Sequence, residues 1–304
     1  MKVNSMHKGK TLFNSNNENI LDCEKCGFAH VNPLPRQSQL NEFYEKTFYQ
    51  DVKKTYFSDF DRDHDWWVLN YNWLIDDLIK LSGIKGKSKR SRFLDIGSGP
   101  GLFLDVARSR GIDALGIEPS TDAFKYSKKR YNCNVLNTTL EKLDSSVGKF
   151  DYIVSYLVME HILDPFYFLS KAKKFLTKNG LICIVVPNDF NPIQKINIQL
   201  GKKEWWVSPK DHLNYFNSKS LKKLFENVGL RILYENVTFP IDLFLLMGQD
   251  YITDPGLGAK CHDMRKTLEF NLNSTGSEKF KEDLYKAFSK LNIGRELVII
   301  GKRV

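Results

Sequence analysis

The sequence predicts an α/β protein built on a mostly parallel sheet with helices on both faces, and three observations predict it. From residue 92 onward, short apolar runs alternate with helical segments, the pattern that lays strands side by side and crosses helices over them. One run, Phe93-Leu-Asp-Ile96, passes straight into Gly97-Ser-Gly99-Pro-Gly101, and glycines there let the backbone turn sharply and approach a ligand. The next run, Asp113 to Ile117, ends in a carboxylate, Glu118, about 20 residues downstream, where it can accept both hydroxyl protons of a ribose.

Element by element, the chain begins with a polar, Asn-rich stretch, Met1 to Asn19. Between residues 23 and 60 come Cys23-x-x-Cys26-Gly27, then Asn32-Pro-Leu-Pro35, then Phe43, Tyr44, Phe48, Tyr49, Tyr56 and Phe57. This text predicts an extended turn and a short helix. An amphipathic helix follows at Trp66 to Leu81, where Trp66, Trp67, Tyr71, Trp73, Leu74, Leu78 and Leu81 fall near helical spacing and favour core packing over a ligand box. Strand-like runs occupy 93–96, 113–117, 133–136, 150–155 and 180–186. A helix at Ser220 to Val228 leads to a run at Leu230 to Tyr234, and the chain closes with Glu296-Leu-Val-Ile-Ile300. That makes seven strands. The organisation expected is an extension over 1–62 with half a zinc ribbon and an aromatic-rich lid, a core over 63–239, a helical insertion over 240–294, and the final strand of the core over 295–304.

A chain of 304 residues, 42% hydrophobic and 27% charged, can bury a sizeable core. Its longest apolar stretches, Leu181 to Val186 and Phe239 to Met247, are too short to span a bilayer, and the expectation is a cytoplasmic protein with no membrane partner. Forty-five Lys and Arg against 36 Asp and Glu give +9, which concentrates anionic partners near the surface. The densest basic cluster, Lys85, Lys87, Lys89, Arg90 and Arg92, has no interleaved aromatics, so it reads as a solvated linker instead of a single-strand binding surface. A small anionic substrate is favoured, with no stable nucleic acid bound; the oligomeric state is left open.

Five cysteines without a secretory signal point to reduced thiols. Cys133 and Cys183 lie in apolar runs and read as core. Cys23 and Cys26 resemble one knuckle of a zinc ribbon. A closed structural site needs four ligands; His30 is a candidate third and His7 a candidate fourth, but no second Cys-x-x-Cys exists. The expectation is therefore no metal.

The glycine spacing separates two cofactors. A dinucleotide fingerprint needs its last glycine at the sixth position, which is Leu102 here, so NAD and FAD are disfavoured. The run Asp95-x-Gly97-x-Gly99-x-Gly101 instead resembles the first motif of class I S-adenosylmethionine-dependent methyltransferases. That resemblance implies a Rossmann-like seven-stranded sheet whose last strand is antiparallel. It also implies cofactor contacts at Asp95, Gly97, Ser98, Gly99, Gly101, Glu118, Pro119, Thr139, Leu140 and Ser155. Glu160-His161, after the fourth core run, resembles the Glu-His pair of small-molecule methyltransferases, including the quinone-biosynthesis O-methyltransferases. Where that subgroup has a further Glu, this chain has Leu157, and metal assistance is not expected. Nor is Ser155-Tyr-Leu-Val158 the Asn/Asp-Pro-Pro-aromatic clamp of nucleobase methyltransferases.

A second resemblance covers the far half. Lys203-Glu-Trp-Trp-Val-Ser-Pro-Lys-Asp-His212-Leu-Asn-Tyr215-Phe216 is similar to a segment of methyltransferases from polysaccharide, capsule and antibiotic-sugar pathways. Some of these carry a complete N-terminal zinc ribbon and methylate carbon; half a ribbon favours O-methylation. Methyl transfer is an in-line displacement, so the protein positions the partners and removes a proton. A neutral histidine suits that task. His212, in a Pro- and aromatic-rich loop, is the preferred base, with His161 and Glu160 as the alternative pair. Asn188, Trp205, Trp206 and Tyr215 are candidate substrate contacts, core packing being the competing role for the aromatics. The expected function is O-methylation of a nucleotide-linked or phosphorylated sugar. The rivals are an RNA methyltransferase and an inactive methyltransferase-like binding module.

Overall fold

Caps and breakers in the sequence set several helix boundaries. In the computed structural model, which describes residues 7–14, 18–42, 55–83 and 91–304, the chain runs β1 (Gly9–Asn14), β2 (Asn19–Cys23), β3 (Ala29–Asn32), α1 (Gln37–Glu42), α2 (Tyr56–Arg62) and α3 (His64–Ser82). The alternating part follows as β4 (Arg92–Ile96), α4 (Leu102–Ser109), β5 (Asp113–Ile117), α5 (Thr121–Tyr131), β6 (Val135–Leu136), β7 (Phe150–Tyr156), α6 (Pro165–Lys174) and β8 (Leu176–Pro187). Then come α7 (Pro192–Gln199), β9 (Asn214–Tyr215), α8 (Ser218–Asn227), β10 (Leu230–Val237), α9 (Leu243–Leu246), α10 (Pro255–Ser274), α11 (Glu278–Lys290) and β11 (Glu296–Arg303). Helices α6, α7 and α10 start alike. Asp164, Asn191 and Asp254 each cap the first amides by a side-chain oxygen, and proline follows at the first turn, where its missing N–H costs nothing.

Seven strands pair in the order β10-β11-β8-β7-β4-β5-β6, a mostly parallel Rossmann-like sheet. Strand β4 runs parallel to both β5 and β7, and β5 parallel to β6. All seven expected strands form. The third shrinks to Val135–Leu136 and the fifth grows to Leu176–Pro187. A second sheet, β1-β2-β3-β9, corrects the sequence reading of residues 23–60 as turn and helix alone. β1, β2 and β3 are successive antiparallel neighbours, with β9 added on the far side of β3. The expected lid residues Phe43, Tyr44, Phe48 and Tyr49, and Lys85, Lys87, Lys89 and Arg90 of the basic cluster, lie outside the described residues.

The chain folds as two compact units. One comprises residues 1–34, 185–224 and 234–299, the other 35–184, 225–233 and 300–304, so the division cuts across the four segments drawn from the sequence. In the second unit Phe93, Leu94, Ile153, Val154, Phe168 and Leu181 are fully buried. Tyr71 of α3 stacks on Phe103 of α4 with ring centroids 4.3 Å apart, which accounts for part of the aromatic stripe as core. Arg92 is also structural: it donates to the Val147 and Lys149 carbonyls and lies over the Phe150 ring.

In the first unit, α9, α10 and α11 enclose a small core of Phe239, Phe244, Cys261 and Tyr285. A buried ion pair, Arg265 to Glu269 at 3.4 Å, sits in it, and the Tyr285 hydroxyl donates to the same carboxylate at 2.5 Å. Among the described residues, no helix is long and apolar enough to cross a membrane.

Candidate active site

The glycine loop leaves β4 and is held by its neighbour strand. Gly97 and Ser98 both donate their amides to the Ile117 carbonyl, at 2.8 and 3.1 Å, and Gly101 donates to the Ser98 carbonyl at 3.0 Å. Gly99 donates to Glu118 Oε2 at 2.9 Å. Pro100 has no amide to give. Every N–H from 97 to 101 is thus committed inside the protein, so this loop offers no amide cradle of the kind that binds a pyrophosphate.

The three glycines differ in what requires them. All have positive φ, at 76°, 48° and 88° for Gly97, Gly99 and Gly101. A Cβ on Gly97 would lie 2.5 Å from Val158 Cγ2, and one on Gly101 would lie 2.7 Å from Ser127 Cβ. Those two are small because protein packs on them. Among the described residues a Cβ at Gly99 would meet only the Tyr56 hydroxyl, 3.7 Å away, which leaves room for a ligand to approach the backbone there.

Glu118 is buried, and its second oxygen, Oε1, accepts the Ser120 amide at 2.8 Å. A carboxylate has about four lone-pair sites, so two remain for hydroxyl donors. Burial pushes its pKa up to about 7 against the two backbone hydrogen bonds, and burial plus the nearby Glu118 charge pushes Asp95 up to about 8. Burial and the charges of Glu118 and Asp95 also raise the Tyr56 hydroxyl. Tyr56 therefore belongs to this site, a residue that the sequence reading placed only in an aromatic stretch. Asn137 was missed as well. Its Nδ2 donates to the Glu118 and Pro119 carbonyls at 2.8 and 3.0 Å and fixes the turn that carries the acid.

The remaining cofactor candidates lie on neighbouring strands and turns of the same unit. Ser155, opposite Ile96 in the β4–β7 register, has a buried Oγ with no hydrogen-bond partner among the described residues. Ser98 Oγ is likewise buried without one, but it would sit 2.7 Å from a Cβ on Gly116, so this side chain packs over β5. Thr139 precedes a 3₁₀ turn, Leu140–Lys142, in which Leu140 is buried. Beyond β7, Leu157 takes a φ of 54° and a 3₁₀ turn carries Met159–His161. Glu160 is buried and its Oε1 lies 3.8 Å from His161 Nε2.

The other candidates lie in the first unit. The His212 amide donates to the Ser208 carbonyl at 2.8 Å. Tyr215 is buried, its hydroxyl accepting the Ser208 amide at 3.1 Å, and Trp206 is buried against Phe190 and Trp205. Asn188 Nδ2 is spent on the Asn292 and Gly294 carbonyls. These three are buried, and Trp205 alone of the four substrate candidates is half-buried; Asn188 Oδ1 and Trp206 Nε1 have no hydrogen-bond partner among the described residues. Beside Asn188, the buried Asp189 is pushed up to about 8 by burial and Asp242, with Arg295 opposing; nothing in the sequence pattern singles it out. His7, Cys23, Cys26 and His30 converge at the start of the same unit, all four ligating atoms within 4.8 Å of one another. Burial holds His30 below its ordinary value.

Fold and loop together define a class I methyltransferase. The profile of the methyltransferase domain family matches residues 70–235, just over half of the chain, and the protein belongs to that family. It is an S-adenosylmethionine-dependent methyltransferase. The unpartnered Ser155 Oγ, the open approach at Gly99 and the two spare acceptor sites on Glu118 fit that cofactor.

Among curated proteins, the chain is 27% identical over 187 residues to the ubiquinone biosynthesis O-methyltransferase of Pelagibacter ubique, covering 53% of this chain and 76% of that one. It is 30% identical over 106 residues to the Bradyrhizobium diazoefficiens protein of the same name, covering 32% of this chain and 40% of that one. Among solved structures, the plantazolicin methyltransferase BpumL in complex with SAH is similar in fold, with a TM-score of 0.52 and 16% identity over 87% of this chain and 94% of that one. None of these names a sugar or polysaccharide pathway.

Proposed function

We propose that the protein methylates a hydroxyl of a small molecule, with Glu118 and Tyr56 holding the cofactor and a histidine taking the acceptor proton. The observation that carries this reading is the Glu118 carboxylate, tied to Gly99 and Ser120 yet with acceptor capacity left over. When bound, S-adenosylmethionine supplies an electrophilic methyl on sulfur. The chain's own part would be to hold the acceptor hydroxyl in line with that methyl and to take its proton on a neutral imidazole, the bound cofactor supplying the methyl group and its sulfur retaining the C–S electron pair. His161 suits the base role because the buried Glu160 carboxylate, 3.8 Å away, stabilises the imidazolium formed. His212, preferred from the sequence, is the competing candidate.

The relatives are named O-methyltransferases, which supports oxygen as the acceptor atom. The net charge of +9 supports an anionic acceptor, and the 203–216 segment keeps a nucleotide-linked or phosphorylated sugar as the second reading. Incubating purified protein with methyl-labelled S-adenosylmethionine and separate panels of hydroxylated aromatics, nucleotide-linked sugars and total RNA tests this. Label is expected in a hydroxyl of one of the first two panels. Label in RNA, or on carbon or nitrogen, would overturn the proposal.

A further inference from the structure

Four metal-ligating side chains, His7, Cys23, Cys26 and His30, converge at the start of the first unit. His7 Nδ1 lies 3.5 Å from Cys23 Sγ, 3.4 Å from Cys26 Sγ and 3.1 Å from His30 Nε2. A tetrahedral zinc with bonds of about 2.3 Å to sulfur and about 2.0 to 2.1 Å to nitrogen has sulfur–nitrogen edges of about 3.6 Å and nitrogen–nitrogen edges of about 3.3 Å. The three separations from His7 match those edges to within a few tenths of an ångström, and all four atoms lie within 4.8 Å of one another.

One nitrogen of His7 cannot serve the whole cluster by hydrogen bonding. His30 Nδ1 lies 2.8 Å from the Val31 carbonyl, which can only accept, so Nδ1 carries the proton and the neutral ring presents a lone pair at Nε2. That lone pair and two sulfurs all face one nitrogen of His7, which can satisfy a single partner. A shared cation satisfies all four. The Nδ1–H to carbonyl bond is also the outer contact that fixes the tautomer and ring orientation of a ligating histidine.

The backbone is arranged in the same sense. The Cys26 amide points at Cys23 Sγ from 3.5 Å, where it eases the charge of a thiolate. Gly27, with φ of 75°, returns its amide to the Cys23 carbonyl at 2.8 Å, so the turn between β2 and β3 presents both sulfurs to one side. The sequence expectation of no metal rested on counting a single Cys-x-x-Cys. The fold supplies the missing pair from outside that motif.

We propose that His7, Cys23, Cys26 and His30 bind one structural zinc ion. A Cys₂His₂ donor set in tetrahedral array selects zinc over the hard cations, and four protein ligands leave no open position for chemistry. The ion staples the segment before β1 to the β2–β3 turn. It also bears on the His212 segment: in register His30 faces Asn214 of β9, and the Val31 amide donates to the Leu213 carbonyl at 2.8 Å.

Elemental analysis of the full chain, purified without chelator from zinc-supplemented medium, is expected to give about one zinc per chain. Chelator-stripped wild type titrated with cobalt(II) should develop the intense visible absorption of a tetrahedral thiolate site, displaced by zinc. Cys26→Ser and His7→Ala, chosen because both positions are only half-buried, should lose at least half of the zinc while binding S-adenosylhomocysteine within a few-fold of wild type. Stripping should raise hydrogen exchange across 208–216. Metal-free wild type that stays colourless with cobalt overturns the proposal, as does a Cys23–Cys26 disulfide in the purified protein or full zinc in both variants. If the variants do not fold, the cobalt titration of wild type decides.

Discussion

Replacing Glu118 with glutamine should separate the cofactor site from its own scaffold. The wild-type carboxylate accepts from Gly99 and Ser120 and has two acceptor positions to spare. Glutamine keeps the shape, but its amide nitrogen must face one of the two backbone donors, and the charge is gone. A hydrogen bond to a charged group contributes about 1.5 to 3 kcal/mol, so S-adenosylhomocysteine affinity should fall by about 10- to 100-fold. The pH dependence makes the test sharper. Glu118 sits at about 7 in the fold against an ordinary 4.5, and ribose hydroxyls donate to the ionised form. Binding is therefore linked to proton loss. Wild-type affinity should rise with pH by up to about tenfold per unit below neutrality and level off above it. Titration calorimetry at several pH values, in buffers of different ionisation enthalpy, measures both the affinity and the proton released. Wild-type affinity in Glu118→Gln, or an unchanged acid limb in that variant, would refute the reasoning.

Other outcomes follow from the same geometry. Because the folded pKa values of Glu118 and Asp95 are raised, to about 7 and about 8, their contribution to stability is fully present below their ordinary values and lost as pH rises through the folded ones; the cofactor-free protein should melt at a lower temperature at pH 8 than at pH 6, and S-adenosylhomocysteine should narrow the gap. Gly97→Ala adds a 2.5 Å clash with Val158 to a φ of 76°, so it should destabilise well beyond the about 1 to 2 kcal/mol of left-handed strain that Gly83→Ala, in open space at φ 64°, would show by denaturant unfolding. His161→Ala, if that residue is the base, should cut turnover by about 100-fold or more with S-adenosylmethionine affinity within a few-fold; an unaffected rate moves the role to His212, whose alanine variant is assayed beside it.

The local chemistry of the strands and the glycine loop was legible in the chain itself. Apolar runs of four to eight residues with turn formers between them have few alternatives to an alternating sheet, and a glycine run after a strand followed by an acid after the next is a contact pattern compressed into about 20 residues. Asp95, Gly99 and Glu118 could be proposed as cofactor contacts for that reason. What each glycine is for was not: Val158 and Ser127, which exclude a side chain at Gly97 and Gly101, come from segments far along the chain. The same holds for Tyr56, which meets the site from α2, and for Asn137, which latches the acidic turn from the end of β6.

For Asn188, Trp206 and Tyr215 the fold adds neighbours that no periodicity reveals: Asn188 Nδ2 donates to the Asn292 and Gly294 carbonyls, Trp206 packs on Phe190 and Trp205, and the Tyr215 hydroxyl accepts the Ser208 amide. The thiol pair shows the division most plainly. Sequence determined the knuckle, Cys23-x-x-Cys26-Gly27, because a two-residue spacing and a positive-φ glycine are local properties. Only the tertiary structure, by pairing β2 with β3 and bringing the chain ahead of β1 alongside, placed His30 and His7 on the same side as the sulfurs. Donors 16 and 23 residues away from His7 share a centre only once loop-closure entropy has been overcome by strand pairing and burial, and that balance belongs to the whole fold.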